Sequence, residues 1–125
     1  MTPQHTVALN GLDPVSYFNG GPVQGDVSLS SAHNGSNYYF STEENKAAFD
    51  SAPDKYAPQY GGFCATAMSE GKLFGADPSN FKIVDDRLFV FYRGLGGDTL
   101  PQWNINESER LPAADTYWQE ETYAA

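Results

Sequence analysis

Thiol, imidazole and positive charge are all scarce in this chain: its 125 residues hold one cysteine, two histidines and seven lysines plus arginines. A lone cysteine excludes an internal disulfide framework, so burial and hydrogen bonding must hold the fold. Seven cations against sixteen acids leave a net charge of −9. Nucleic acid and anionic membrane surfaces, both bound through clustered cations, are therefore not expected as partners. No apolar run approaches the roughly 20 residues that a membrane-spanning helix needs, so no membrane span is expected either. The opening MTPQHTVALNG has neither the basic stretch nor the apolar core of a secretory leader. The compartment stays open, and a soluble exported or periplasmic protein with its signal peptide removed is among the readings. No phosphate loop, nucleophile elbow or zinc-protease signature occurs, and no internal repeat is evident.

Length favours one hydrophobic core, and so one domain, residues 8–125, behind a flexible N-terminus at 1–7. Asp13-Pro14 reads as a helix start, with Asp as N-cap and Pro at the first position, opening a short helix that ends at Asn19-Gly20-Gly21. Its Val15 and Phe18 would face inward. Residues 27–32 and 36–41 flank His33-Asn34-Gly35, and Asn-Gly between extended runs signals a hairpin because both residues tolerate positive φ. The spacing from Ser41 to Glu44 is that of a capping box opening a helix over 42–51, with Ala47, Ala48 and Phe49 on its buried side. A short helix over FCATAMSEG, ending at Gly71, follows the break at Gly61-Gly62. A second hairpin over 81–84 and 87–92 turns at Asp85-Asp86. Helical packing is expected at Trp103 and over 112–123. The fold class is α+β, a small single domain of short β-hairpins covered by several short helices.

Five segments in order, ALNGLDPVSYF, GSNYYFSTEENKAAF, PDKYAPQYGGFCA, DPSNFKIVDDRLFVFY and AADTYW, span nearly the whole chain. Their succession resembles the YHS domain family in its stand-alone, often exported form. The resemblance implies a treble-clef-like scaffold related to heavy-metal-handling modules that hold soft ions through cysteine thiolates. It also shows where this chain departs from them. Ser16, Ser41 and Asn45 stand where those modules have their cysteines, and hydroxyls and amides are poor ligands for zinc or copper.

Cys64 then has three readings: a small packed side chain, a ligand, or a catalytic thiol. As a ligand it would hold a transition metal, copper or zinc, with His33 or His5 as partner. As a nucleophile it would need one of the same two histidines as its base. The aromatic residues offer a further site, in which Tyr17, Tyr39, Tyr60 and Phe63 would line a pocket around Cys64, against the alternative of core packing. The acidic pairs Glu43-Glu44 and Asp85-Asp86 fit a helix start and a hairpin turn, not general acid and base. Six acids and one cation, Arg110, fall within 98–125, a surface that could meet a basic protein partner. The leading expectation is a non-enzymatic binding module for a metal ion or small ligand. A thiol-dependent enzyme or redox sensor, and a structural or protein-interaction domain, are its alternatives.

Overall fold

The structure, a computed structural model, describes residues 6–124. Short antiparallel hairpins and several helices give it the expected α+β character. Its backbone divides into two compact units. The first runs to Ala57 and takes in Asp85–Arg87; the second holds Pro58–Val84 and everything from Leu88 onward.

In the first unit, β1 (Thr6–Val7) leads into a 3-10 turn, Ala8–Gly11, and then a 3-10 helix, Val15–Phe18. β2 (Asp26–His33) and β3 (Ser36–Phe40) form an antiparallel hairpin with Ser31 opposite Tyr38, and β1 joins the outer side of β3 in parallel. The two-residue turn falls on Asn34 and Gly35, at φ 51° and 82°, as the Asn-Gly signal requires. α1 (Glu43–Ser51) and α2 (Pro53–Tyr56) complete the unit.

The cap of α1 differs from the expected one. Thr42, not Ser41, accepts the Asn45 amide at 3.0 Å, because the Ser41 hydroxyl is engaged elsewhere. Glu43 and Glu44 fill the first turn, where the helix dipole favours acids. Phe49 is buried as expected, but Ala47 is exposed. Inward residues of β3 supply the rest of the core: the Tyr38 and Phe40 rings lie 4.9 and 5.2 Å from Phe49. Leu9, Val15 and Tyr17 are buried too. Each such side chain contributes about 2 kcal/mol on burial.

The second unit starts with a 3-10 turn, Gln59–Gly62, followed by α3 (Ala65–Ser69). β4 (Asp77–Val84) and β5 (Arg87–Phe91) pair around the Asp85-Asp86 turn. The strands therefore begin four residues earlier and end one residue earlier than the apolar run alone indicates. β6 (Arg93–Gly94) and β7 (Gly97–Asp98) make a tiny hairpin, and α4 (Leu100–Ile105) and α5 (Glu107–Ala124) close the chain. Pro112 lies inside α5 and does not start it. Trp103 sits at the centre of the core, fully buried, with Phe89 at 5.4 Å and Phe91 at 5.5 Å. Tyr60, Cys64, Ala65, Met68 and Ala114 pack in the same cluster.

No internal repeat shows in the residues themselves, but the backbones of the two units are alike. Each unit runs through a left-handed turn, a short helix and a two-stranded hairpin in the same order. Their side chains are too different for letter-by-letter comparison to reveal it.

Burial pushes the Tyr38 phenol up to about 12 from its ordinary 10. A pKa raised in the folded state means stability that is intact below pH 10 and lost as pH climbs toward 12. Alkaline unfolding should accordingly be less steep in Tyr38→Phe than in the parent between those limits, measured by tryptophan fluorescence.

Candidate functional site

Asp13 is fully buried in the first unit, and its carboxylate is the meeting point of five donors. Oδ1 accepts the amides of Val15 at 2.8 Å and Ser16 at 3.3 Å, which are the orphan N–H groups of the short helix that Asp13 was expected to cap. Oδ2 accepts the Ser41 amide, the Ser41 hydroxyl and the Asn45 side-chain amide, each at 2.8 Å. Ser16 adds a stitch of its own. Its hydroxyl donates to the Asp13 carbonyl and accepts the Val23 amide, while the Asp13 amide donates to the Val23 carbonyl.

Ser16, Ser41 and Asn45, the three positions singled out by their departure from a thiolate pattern, therefore converge on Asp13: the Ser41 hydroxyl and the Asn45 side-chain amide on its carboxylate, the Ser16 hydroxyl on its main-chain carbonyl. Their hydrogens point inward as donors. A cation needs lone pairs from the same atoms, so this set does not fit a soft metal ion. Sequence reasoning assigned Asp13 only to a helix cap. The run from 13 to 41 and 45 is too long for local spacing to show that one side chain serves both ends.

Cys64 is fully buried in the second unit. Its Sγ lies 3.3 Å from the Thr99 hydroxyl, which donates to the Tyr92 carbonyl, and Thr66 bonds the Thr99 carbonyl at 2.9 Å. The thiol closes a packed polar knot and has no face to solvent. Thr99 was not anticipated, and nothing in its surroundings in the sequence marks it.

His33 belongs to the first unit. Its Nε2 lies 3.1 Å from Asp54 Oδ1 and 3.2 Å from Asn34 Nδ2, and its ring meets Phe49 edge-on at 5.8 Å. It ends β2 and is not part of the turn. His5 lies outside the described residues. Among the described residues no three His, Cys, Asp or Glu side chains gather as a metal-binding group.

The four aromatic candidates divide between the units. Tyr17 is buried and Tyr39 half-buried in the first; Tyr60 is buried and Phe63 half-buried, packed against the core, in the second. Tyr60 takes φ 59°, a costly left-handed conformation for an aromatic residue, held by its hydroxyl bond to Asp115 at 2.7 Å and ring contacts to Phe89 and Trp118.

Much of the acidic last quarter is spent internally. The Leu100 amide and the Asn80 side chain hold the Asp98 carboxyl below its ordinary value. Lys82, with help from the Trp103 indole, does the same to Glu107. Asp115 takes the Tyr60 hydroxyl, and the exposed acids among the described side chains of this quarter are Asp98, Glu109 and Glu120.

Large apolar groups stand in solvent instead. Leu95 is fully exposed at the tip of the β6–β7 hairpin, and Phe74 is 53% exposed with its ring 5.2 Å from Tyr92. The Gly96 amide donates to the Tyr92 hydroxyl at 3.2 Å, which ties the hairpin tip to the same ring. Leu73 is exposed beside Phe74. Phe74 and Tyr92 so form an apolar pair to which the hairpin carrying Leu95 is tied, with Arg93 and its partner Asp77 nearby. Among the described residues no helix is long and apolar enough to cross a membrane.

No protein-family model, curated protein or solved structure matches the chain.

Two measurements check this geometry. Asp13→Ala should cost about 3–5 kcal/mol in urea unfolding, because it strands several buried donors. Asp13→Asn should recover only part of that, its amide hydrogens facing other donors. Iodoacetamide should modify Cys64 only in step with global unfolding across a urea series; fast alkylation of the native protein would show an open thiol.

Proposed function

We propose that the chain is a non-enzymatic binding module whose partner is a basic protein, held through the apolar pair Phe74 and Tyr92 and the hairpin tip at Leu95. The observation that carries this reading is the inversion at the surface of the second unit. Leucine and phenylalanine are solvated there, while its one reactive thiol, Cys64, is buried and engaged by Thr99. Exposed apolar side chains grouped on one ring mark interaction surfaces.

Charge selects the class of partner. The chain carries −9 overall, and beside the apolar pair Arg93 is shared between Asp77 and its strand neighbour Asp98. A cationic protein with an apolar anchor would be steered to such a surface and held by it. The resemblance to YHS domains fits the same reading. On that resemblance, the positions that would carry soft-ion ligands serve instead as donors to Asp13.

A benzophenone side chain placed at position 95 of the full chain, photolysed in an extract of its source cells, tests the proposal. The expected adduct is one basic protein whose binding to the purified chain weakens at least tenfold with Phe74→Ser and weakens further with added salt. A second copy of this chain as the adduct would overturn the reading. So would the same adducts from a probe at Val27, which is 68% exposed on the first unit.

A further inference from the structure

The two units agree in more than the order of their elements. Leu9, Asn10 and Gly11 take φ values of 57°, 52° and 86°; Tyr60, Gly61 and Gly62 take 59°, 61° and 86°. Three successive left-handed residues are rare, and at leucine and tyrosine they strain the backbone. Finding them twice, at the same point of each unit, calls for a common cause. Asp13 and Cys64 follow at the same distance, 51 positions apart, and that spacing persists. β2 (Asp26–His33) and β4 (Asp77–Val84) are offset by 51, as are β3 (Ser36–Phe40) and β5 (Arg87–Phe91). The turn residues Asn34 and Gly35 match Asp85 and Asp86, all four at positive φ.

Hydrogen bonds repeat on the same offset. The Asp13 amide donates to the Val23 carbonyl at 2.9 Å, and the Cys64 amide to the Phe74 carbonyl at 2.8 Å. Asn19 and Gly21 both donate to the Ser16 carbonyl, and Glu70 and Lys72 both donate to the Ala67 carbonyl. A side-chain motif recurs as well. Asp26 Oδ1 accepts the amide and hydroxyl of Ser28, and Asp77 Oδ1 accepts the amide and hydroxyl of Ser79.

We propose that residues 8–42 and 59–93 are tandem copies of one ancestral segment, and that Cys64 holds in the second copy the position Asp13 holds in the first. The changes around the two positions are chemically matched. A buried carboxylate needs several donors, and the first copy supplies the Ser41 amide and hydroxyl, while the Ser16 hydroxyl bonds the Asp13 main chain; a thiol needs few, and the counterparts of those two serines are Tyr92 and Ala67. Cys64 is by this account a positioning residue of the second copy, neither reagent nor ligand. The proposal stands apart from the identity of any binding partner.

Amide hydrogen exchange on the full chain tests it. Cys64, Glu70 and Lys72 should fall in the slow class together with Asp13, Asn19 and Gly21, pair by pair within about tenfold given a common local stability. Exchanging the turns supplies an independent readout. Asp85→Asn with Asp86→Gly should raise the melting temperature, and Asn34→Asp with Gly35→Asp should lower it, because both sites demand the same backbone. Unprotected amides at 64, 70 and 72, or a melting temperature that falls with the Asp85→Asn and Asp86→Gly pair, overturns the proposal.

Discussion

A carboxylate sealed from water sets the terms for the first unit. Removing an ion from solvent costs several kcal/mol unless its lone pairs are all met, and Asp13 meets them with donors from the following short helix, the end of β3 and the first turn of α1. Three segments distant in sequence are thereby fixed to one atom group. The 3-10 geometry of Val15–Phe18, the direction in which the chain leaves β3 and the start of α1 all follow from satisfying it. The displaced cap is a direct consequence: Ser41 is committed to Asp13, so Thr42 takes over the helix terminus.

The second unit solves the same backbone problem without a buried charge. Its centre is aromatic, with Trp103 between Phe89 and Phe91, and its polar knot is confined to Cys64, Thr66 and Thr99. Apolar closure of this kind tolerates elaboration at the margin, and the hairpin at 93–98 is such an elaboration. It begins where the first unit passes directly from β3 into α1. Leu95, at the tip of that hairpin, is therefore a residue by which one unit departs from the other.

What the sequence made legible was local. Asn34-Gly35, the two hairpins, the helix over 43–51 and the left-handed break at Gly61-Gly62 are all written in residues a few positions apart, whose conformational limits can be judged alone. The three oxygen and amide positions were also found, by comparison with a pattern of cysteines. Their common target was not, because Asp13 had a sufficient local explanation as a cap. The repeat escaped for a related reason. It is carried by dihedral angles and main-chain hydrogen bonds, and at its most constrained positions leucine, asparagine and tyrosine stand where glycine would have announced the conformation. Pro112 misled in the opposite direction, since α5 begins five residues before it.

The depth of Cys64 bears on how the molecule would fare in an oxidising compartment. It is the chain's sole sulfhydryl, so an internal disulfide is excluded and its routes to oxidation are a disulfide with another molecule or a sulfenic acid and its further oxides. With the sulfur enclosed, both routes begin with opening of the second unit. Redox exposure then becomes a record of how often that unit breathes.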